Sequence, residues 1–332
     1  MKITMRDVAK KAGVSLTTVS RAINNSPSIS RELREAVMHA IRALNYIRIR
    51  NPTSGKKHKS KKIGVIVSDV LSYGVGPFIR GIEEIARRHA ASIILFDSQN
   101  DLQIEEDNIC QIIDKTVDGL ILISLSSENE RIIDIIDDHF PFILLDRYLF
   151  GKDGLNVVYS DNNFGACLAT SYLLDLGHRE IVYIDGDGLS SIRRDRIDGF
   201  RRAFNERNLS VNEKLIIKGN YSSSIAYKRI YELIQDGFSF TAVFASSDEM
   251  AFGAKRALEE QGYRIPDDIS LLGYDGIELS STISLTTVYH GAFEMAKEAT
   301  SALIDIIDRR LKSPIRVVIQ PSLIIRNSCK KV

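Results

Sequence analysis

From residue 63 to residue 145 the chain alternates short apolar runs with longer stretches of helical periodicity. Each run is bounded by polar residues and is only four or five residues long, which is typical of a strand that is covered on both faces. The predicted strands are Ile63–Val67, Ile93–Phe96, Leu120–Ile123 and Phe142–Leu145, with helices near 77–90, 102–116 and 128–139 between them. Strands that alternate with helices in this way predict a parallel α/β sheet.

The same alternation repeats in the second half of the chain. The strands predicted there are Ile181–Ile184, Leu215–Ile217, Ala242–Ala245 and Ile269–Leu272, and the helices lie near 162–176, 192–207, 222–236 and 248–262. Two successive units of this kind predict two similar lobes, each about the size of a βαβαβαβ unit. At roughly 100–200 residues per domain, a chain of 332 residues also has room for a further small domain.

The charges are divided unevenly between the first 62 residues and the rest. Although the formal net charge is only +1, residues 1–62 contain 15 Lys and Arg against three acidic residues, a net charge of +12. The remaining residues have a net charge of −11. This asymmetry indicates a polyanion-binding arm on an acidic body.

Several classes of protein are disfavoured by the sequence. The first residues contain no apolar signal segment, and no run approaches the roughly 18 apolar residues that span a bilayer. Cys110, Cys167 and Cys329 have neither metal-site nor disulfide-framework spacing, so we expect reduced thiols in a cytoplasmic protein. Phosphate-loop, hydrolase-elbow and zinc-protease motifs are absent, and Asp185-Gly-Asp187-Gly is interpreted as a solvated turn. We therefore expect no catalytic residue, no metal and no cofactor.

The basic arm has the pattern of two short helices that pack across a tight turn, followed by a third helix. An acidic first turn after Thr4 predicts the start of the first helix, which ends near Gly13, and Ser15 predicts the cap of a second helix over Leu16–Asn24. Residues 1–47 therefore predict a helix-turn-helix domain. Its core is predicted to contain Val8, Ala12, Val14, Val19, Ile23, Leu33, Val37, Ile41 and Leu44.

Two segments of this arm, RDVAKKAGVSLTTVSRAINN and ISRELREAVMHAIRALNYI, resemble the DNA-binding headpiece of the LacI/GalR family of bacterial transcription regulators. The resemblance implies that Leu16, Thr17 and Arg21 read bases. Leu16 can contact a thymine methyl, and Arg21 can donate two hydrogen bonds to guanine. It implies phosphate contacts at Thr4, Ser15, Thr18, Asn24 and Ser30. Helix capping by Ser15, and a plain surface role for Thr17 and Thr18, are the alternatives.

Residues 48–62 depart from the hinge helix that this family usually has after its headpiece. Arg48, Pro52 and Gly55 stand where the family has Pro, Ala and the Leu that wedges into the minor groove. The segment contains seven Lys and Arg and no acidic residue. We interpret it as a flexible polybasic linker close to DNA phosphates, with Lys56 and Lys57 as candidate contacts. A solvated tether without a specific role is the alternative.

Motifs throughout the acidic body resemble the effector-binding core of the same family, which has a type I periplasmic-binding-protein fold. They include GPFIRGIEEIARRH, VDGLILIS, PFILLDR, FASSDEMAFGAKRALEEQG, IPDDISLLGYDG and QPSLIIRNS. The resemblance implies three crossings between two lobes, near 159–161, 289–292 and 320–322. The first lobe is expected to comprise 63–160 with 291–320, and the second 161–290 with 321–332.

Ligands of open α/β sheets bind at the carboxyl ends of strands, where many polar side chains of this chain lie. By resemblance, Arg196 and Asp275 match the family's paired effector clamp, and Tyr73 and Tyr221 match positions where an aromatic ring lies over the ligand. A forked donor beside a carboxylate suits a sugar or a similarly polar small molecule. Further candidates are Asp146, Arg147, Asp161, Ser247, Asp248, His290 and Phe293.

These candidates also have structural alternatives. Arg196 could pair with Asp198 or Glu206 on a helix surface, Asp275 could stabilise a turn, and the tyrosines could belong to the core. His290 and Gly291 stand where the family commonly has Gln and Pro, a departure that bears on the identity of the ligand.

Together these features predict a sequence-specific transcriptional regulator, most simply a repressor, whose affinity for double-stranded operator DNA is changed by a small polar effector in the cleft. A homodimer is expected, because one headpiece reads only a half-site. The expected location is the bacterial cytoplasm, at the nucleoid and not at a membrane. A solute-binding protein and a sugar- or nucleotide-processing enzyme with the same fold are the alternatives, and the headpiece disfavours both.

Overall fold

The computed structural model of the protein describes residues 4–23, 29–44, 60–113, 117–123, 140–152, 154–188 and 190–332. Its internal contacts divide the chain into two compact units, Met1–Lys59 and Ser60–Val332. The predicted helix 128–139, the predicted linker up to residue 59 and the side chain of Ile23 lie outside the described residues.

The N-terminal unit contains the helices α1 (Met5–Ala12), α2 (Leu16–Ile23) and α3 (Arg31–Ala43). At the start of α1 the hydroxyl and the backbone N–H of Thr4 both donate to the Asp7 carboxylate at 2.7 Å, and these bonds lower the pKa of Asp7. The helix ends at Gly13, whose φ of 66° is a left-handed conformation that favours glycine. The three helices match the predicted helix-turn-helix.

A small apolar core joins these three helices. Val8, Val19 and Val37 are fully buried there, one from each helix. The helical spacing also predicts Leu33 in this core, but its side chain is 42% exposed. It lies in the first turn of α3, whereas the buried positions of that helix are Val37 and Ala40, so the core covers only the later turns.

The second unit consists of alternating strands and helices. Its strands are β1 (Lys62–Val67), β2 (Ser92–Asp97), β3 (Gly119–Ile123), β4 (Phe142–Leu145), β5 (Val157–Ser160), β6 (Ile181–Asp185), β7 (Ile216–Lys218), β8 (Ala242–Ala245), β9 (Ser270–Asp275), β10 (Thr286–Tyr289), β11 (Arg316–Ile319) and β12 (Ser322–Ile324). Its helices are α4 (Val75–Arg88), α5 (Leu102–Ile113), α6 (Asn162–Asp175), α7 (Ser191–Asn205), α8 (Ser223–Gln235), α9 (Asp248–Glu260), α10 (Glu278–Thr282) and α11 (Ala292–Ile307).

These strands form two six-stranded sheets. The first has the order β11-β5-β4-β3-β1-β2 and is parallel throughout. The second has the order β12-β10-β9-β8-β6-β7, in which only β12 is antiparallel to its neighbour. Helices cover both faces of such sheets, which is why the strands are continuous apolar runs in the sequence. The predicted fold class is confirmed.

The chain passes between the two sheets three times. After β5 of the first sheet, α6 packs on the second sheet, and after β10 of the second sheet, α11 packs on the first. Two residues separate β11 of the first sheet from β12 of the second. Each passage leaves the carboxyl end of a parallel strand, so the cleft between the lobes lies at the edge where α/β sheets bind ligands.

Four strands, β5, β10, β11 and β12, have no counterpart among the predicted strands. Each is only three or four residues long. β11 lies at an edge of the first sheet and alternates between exposed and half-buried side chains, so it lacks the continuous apolar run of a central strand. β12 is also an edge strand, but β5 and β10 lie inside their sheets, and the predicted β2 and β7 are edge strands. The periodicity therefore misses short strands with polar residues at both kinds of position.

Candidate functional site

Helix α2 presents the three side chains that are predicted to read bases. Leu16 is 46% exposed, and Thr17 and Arg21 are exposed as well. Ser15 accepts a hydrogen bond from the Thr18 N–H at 3.1 Å, and the hydroxyls of these two residues lie 2.9 Å apart. Ser15 therefore caps α2, and hydroxyls lie at a helix N-terminus, an arrangement that suits a phosphate group.

The other predicted DNA contacts that the structure describes are Thr4 and Ser30. Both are exposed, at the starts of α1 and α3, and Ser30 Oγ accepts a hydrogen bond from the Leu33 N–H at 3.4 Å. Asn24, Lys56 and Lys57 lie outside the described residues. The structure thus places these contacts at helix N-termini or on the exposed face of α2.

In the second unit, the buried Arg196 and the partly exposed Asp275 form an ion pair at the carboxyl end of the second sheet. Arg196 Nη1 lies 3.1 Å from Asp275 Oδ1 and donates to the Ser246 carbonyl at 2.5 Å, while Nε donates to Asn162 Oδ1 at 2.9 Å. The guanidinium carbon lies 3.7 Å from the centroid of the Tyr274 ring. Burial opposes its charge, but Asp275 and the neighbouring groups raise the pKa of Arg196, so the guanidinium stays charged.

The surface pairing considered for Arg196 does not occur. Arg196 is only 3% exposed, and Asp198 and Glu206 pair instead with Arg194 and Arg202. All three arginines lie on α7, and which carboxylate each one meets depends on the elements packed against that helix. Sequence spacing alone leaves both pairings open.

Asp146 and Arg147 follow β4 of the first sheet and are almost fully buried. Asp146 Oδ1 and the Nε and Nη1 atoms of Arg147 make no hydrogen bond. Burial raises the pKa of Asp146 and lowers the pKa of Arg147 to about 10. The carboxyl of Asp146 interacts electrostatically with His290, Arg196 and Asp275, so the structure brings predicted residues of both lobes together.

Tyr221 packs over the loop that follows β6. An added Cβ at Gly186 would come within 2.2 Å of the Tyr221 ring, so a larger residue there would displace that ring. The Tyr221 hydroxyl is buried without a hydrogen-bond partner, and burial raises its pKa to about 12. Asp185 accepts from the Gly186 N–H at 2.9 Å and from Arg193 Nε at 2.8 Å. Asp185 is 1% exposed, so its interpretation as part of a solvated turn is wrong.

Three candidate effector residues have backbone conformations that most L-residues avoid. The φ angle is 65° at Asp146, 53° at Tyr221 and 107° at Asp275. Such conformations cost on the order of 1–3 kcal/mol each and persist where the surrounding structure enforces them, often at functional sites. Their coincidence with residues chosen from the sequence supports the interpretation of this cleft as a binding site.

Four further hydroxyl groups lie buried in the second unit without a hydrogen-bond partner. They belong to Ser160, the last residue of β5, to Tyr183 in β6, to Ser246, which follows β8, and to Tyr274 in β9. Burial raises the pKa of Tyr274. Ser160 is not among the predicted site residues, and its place at the carboxyl end of a parallel strand is the signal that would have identified it.

Ser247 and Asp248, two predicted effector contacts, are used by the fold at the start of α9. Ser247 Oγ accepts from the Met250 N–H at 3.2 Å. The fully buried Asp248 accepts at both oxygens, from Thr287 Oγ1 at 2.6 Å, from Ser280 Oγ at 2.5 Å and from the Ile277 N–H at 2.9 Å. Burial raises the pKa of Asp248 to about 7. Because both of its oxygens are occupied, the structure weighs against Asp248 as a ligand contact.

The remaining candidates lie around this cluster with different exposures. Tyr73 is 56% exposed, with its ring 6.4 Å from that of Phe252. Asp161 caps α6 by accepting a hydrogen bond from the Phe164 N–H at 2.9 Å. His290 is 3% exposed, and the ring of Phe293 lies 5.2 Å from Lys297 Nζ.

Tyr148 joins the two lobes beside the cleft. Its hydroxyl donates to both carboxylate oxygens of Asp195 in α7, at 2.9 and 3.1 Å, and its N–H donates to Ser191 Oγ at 3.2 Å. Burial raises the pKa of Asp195 to about 6. Sequence reasoning missed this interaction, because its partners are 47 residues apart and nothing local marks either one.

Comparison with known proteins places both units in one family. A family model of bacterial regulatory proteins of the lacI family matches residues 4–48, and a model of the periplasmic binding protein-like domain matches residues 170–329. The HTH-type transcriptional repressors PurR of Haemophilus influenzae (strain PittEE) and Pasteurella multocida (strain Pm70) are 33% and 32% identical to the chain. These alignments cover 99% and 98% of each chain. The chain belongs to the LacI/GalR family.

Solved structures of LacI/GalR-family members have the same fold. The transcriptional regulator CelR in complex with cellobiose matches with a TM-score of 0.76 and 27% identity, covering 98% of this chain and 99% of CelR. A lac repressor dimer bound to operator and the anti-inducer ONPF matches with a TM-score of 0.75 and 25% identity, covering 99% and 100%.

This member of the LacI/GalR family is therefore a DNA-binding transcriptional repressor with a ligand-binding core. The predicted family, fold class and regulatory function are confirmed. None of the helices in the described parts of the chain is long and apolar enough to cross a membrane.

Proposed function

We propose that a small polar effector binds between the two lobes of this repressor and changes its affinity for operator DNA. The proposed domains are the headpiece, 1–47, the linker, 48–62, a first lobe, 63–160 with 291–320, and a second lobe, 161–290 with 321–332. The three passages of the chain between the sheets support these limits. An effector that binds one lobe arrangement better than another shifts the population toward it, and this couples the cleft to the DNA.

The observation that carries the proposal is a set of buried polar atoms without hydrogen-bond partners at the carboxyl ends of both sheets. They belong to Asp146, Arg147, Ser160, Tyr221, Ser246 and Tyr274. Each such atom costs roughly 1–3 kcal/mol when it is left unsatisfied. Hydrogen bonds to a ligand between the lobes would recover that free energy.

The chemistry of these groups favours a ligand rich in hydroxyl groups. Arg147 and Arg196 donate and Asp146 and Asp275 accept, so a hydroxyl can bond to either kind of neighbour. Tyr221, which is only partly buried, adds an aromatic ring of the kind that lines ligand pockets, and Tyr274 offers its hydroxyl. Among the solved relatives, CelR is in complex with cellobiose. A LacI family regulator from Enterococcus faecium, 28% identical with a TM-score of 0.72 over 82% of this chain, has bound ribose.

A matched pair of tyrosine variants tests this site. Tyr274→Phe removes a hydroxyl that has no protein partner, so we expect unchanged or higher stability but weaker effector binding. Tyr289→Phe, the control, removes a hydroxyl that donates to Glu294. Thermal unfolding is followed against sugars, sugar phosphates and nucleosides, where a ligand at 100 times its Kd stabilises by about 2.7 kcal/mol. A ligand that shifts the wild type and Tyr274→Phe equally contradicts the proposed contact.

We further propose that the protein acts as a homodimer at the bacterial nucleoid, in the cytoplasm. In a dimer, two copies of α2 read the two halves of a pseudo-palindromic operator, with base contacts from Leu16, Thr17 and Arg21. The lac repressor was solved as a dimer on its operator, which supports this arrangement. Analytical ultracentrifugation at micromolar concentration tests it, and a monomer contradicts it.

The polybasic segment is proposed to add affinity that does not depend on DNA sequence. Lys61 is excluded from this role, because its Nζ lies 2.9 Å from Asp308 of the second unit. Replacement of Lys56, Lys57 and Lys59 by Gln should lower the slope of log K against log salt by roughly 0.9 for each phosphate that is no longer neutralised. The DNA is an operator selected from a random duplex library. An unchanged slope contradicts the proposal.

A further inference from the structure

His290 occupies the passage from β10 of the second sheet to α11, which packs on the first sheet. The side chain is 3% exposed. It is followed by Gly291, whose φ of 81° turns the chain into α11. His290 is therefore a buried ring at a point where the two lobes are covalently joined.

On one side, the His290 ring is bonded to the backbone of Asp275. Nδ1 lies 3.0 Å from the Asp275 carbonyl oxygen. Because a carbonyl only accepts, Nδ1 must carry the hydrogen, and this fixes the tautomer of a neutral His290. Asp275 needs such support, because its φ of 107° is unfavourable for a residue with a side chain.

The loop after Asp275 is held separately within its own lobe. Asp248 accepts hydrogen bonds from the Ile277 N–H and from Ser280 Oγ, at the start of α10. Two side chains therefore hold this backbone, His290 at the Asp275 carbonyl and Asp248 at the Ile277 N–H. The bonds of Asp248 remain within the second lobe, whereas His290 also contacts the first.

That contact is made with Phe78 in the first turn of α4. The ring centroids of His290 and Phe78 lie 5.9 Å apart, in an edge-to-face arrangement that is typical of aromatic pairs. Phe78 is 4% exposed and belongs to the core of the first lobe. On its other side, the His290 ring lies 6.4 Å from that of Tyr274, which packs against Arg196.

We propose that His290 is a positioning residue that couples the Asp275 clamp to helix α4 of the first lobe. Its Nδ1–H fixes the strained Asp275 backbone, and its ring transmits any movement of that backbone to Phe78. His290 is then not itself the ligand contact that the sequence predicts. The inference rests on the proposed effector site, because the significance of Asp275 comes from its place in that site.

Two substitutions separate the two contacts. His290→Asn retains a donor at the position of Nδ1 but loses the ring, and His290→Phe retains a ring but loses the donor. Hydrogen exchange of the full chain, followed by mass spectrometry, reports on each side through peptides that cover 75–82 and 276–284. We expect His290→Phe to speed exchange in 276–284, and His290→Asn to speed it in 75–82, by roughly 2- to 10-fold in each case.

Wild-type exchange of 276–284 in His290→Phe, or of 75–82 in His290→Asn, would overturn the coupling. If circular dichroism shows that either variant fails to fold, Phe78→Leu tests the ring contact from the first lobe. Faster exchange in 276–284 supports the proposal, and unchanged exchange refutes it. Nitrogen NMR of the His290 imidazole provides a second readout. The Nδ1–H tautomer is expected, and the Nε2–H tautomer contradicts the bond to Asp275.

These measurements require neither effector nor operator. If no polar ligand stabilises the protein, the proposed effector site fails while the exchange results still stand. If Tyr274→Phe weakens binding of a ligand but both His290 variants exchange like wild type, the effector site stands and the coupling fails.

Discussion

The headpiece and the cleft use polar side chains in opposite ways. On α2 the predicted base-reading residues Leu16, Thr17 and Arg21 are exposed and lie on the surface of a core made by other residues. In the cleft Arg196 and Asp146 are buried, and Arg196 has hydrogen bonds to the fold as well as its pair with Asp275. Recognition and stability are therefore separable in the headpiece but share the same groups in the core.

Asp248→Ala should have the largest effect on stability of the substitutions considered, because Asp248 is a fully buried polar residue of the second unit. The change leaves the Ile277 N–H and the hydroxyls of Ser280 and Thr287 without their acceptor in a fully buried position. We expect a loss of roughly 3–5 kcal/mol in the free energy of unfolding, measured by urea titration. Asp267→Ala, which removes an exposed pair with Lys330, is the control and should cost about 0–1 kcal/mol. Equal losses would contradict the role of Asp248.

Arg21→Ala should show the opposite behaviour. Loss of the two hydrogen bonds from Arg21 to guanine costs roughly 1–3 kcal/mol of the free energy that favours the correct base. Affinity for the selected operator should therefore fall about 5- to 150-fold. The free energy of unfolding should stay within about 0.5 kcal/mol, because the side chain is exposed. Fluorescence anisotropy and urea titration measure the two quantities. Arg21→Lys retains the positive charge but lacks the paired N–H groups of the guanidinium. It should retain non-specific DNA binding and lose the preference for guanine.

Asp195→Asn tests whether the half-buried carboxyl of Asp195 makes the stability of the protein depend on pH. The pKa of Asp195 is about 6 in the folded protein, against an ordinary value of 3.8. Between about pH 4 and pH 6, Asp195 is mostly protonated in the folded state and mostly ionised in the unfolded state. This group therefore makes the free energy of unfolding fall as the pH rises through that range. Urea midpoints at several pH values should show a smaller fall for Asp195→Asn. Parallel curves for the two proteins would exclude a raised pKa.

Tyr148→Phe is the mildest of these changes. It removes the hydroxyl that donates to Asp195 across the two lobes and leaves the ring in place. A hydrogen bond to a charged group contributes roughly 1.5–3 kcal/mol when buried, and half-buried positions contribute less, so we expect about 1 kcal/mol. Thermal unfolding measures it, with Tyr231→Phe, a partly exposed tyrosine of α8, as the control. A shift no larger than that of the control would show that this hydrogen bond does not hold the lobes together.

The contrast between headpiece and cleft also explains how far sequence reasoning reaches. Leu16, Thr17 and Arg21 could be placed because helical spacing alone sets which face of a short helix is exposed. Strands such as β1, β3 and β8 could be placed because parallel strands are continuous apolar runs, whereas the interior strands β5 and β10, which contain Ser, Thr and Tyr, could not. Leu33 and the edge strand β11 could not, since their exposure depends on how far neighbouring elements extend.

In the cleft, the sequence predicts which side chains lie at the strand ends but not which groups each of them contacts. Asp146, Arg196 and Asp275 meet at strand ends, as the fold predicts. Asp248 begins a helix at the same edge, yet its carboxylate accepts from Ile277 before α10 and from Thr287 in β10, which lie 29 and 39 residues further along the chain. A single sequence indicates the position of a residue within a strand or helix. Its hydrogen-bond partners depend on which distant elements pack against it.

The short connection between β11 and β12 has a consequence for how the repressor is made. Both sheets take their last strands from residues 316–324, whereas the three helices of the headpiece are complete at residue 43. A ribosome adding about 5–20 residues per second therefore releases the headpiece roughly 15–55 s before either lobe can close its sheet. A message truncated before residue 316 would yield a DNA-binding headpiece attached to a core in which neither sheet is complete.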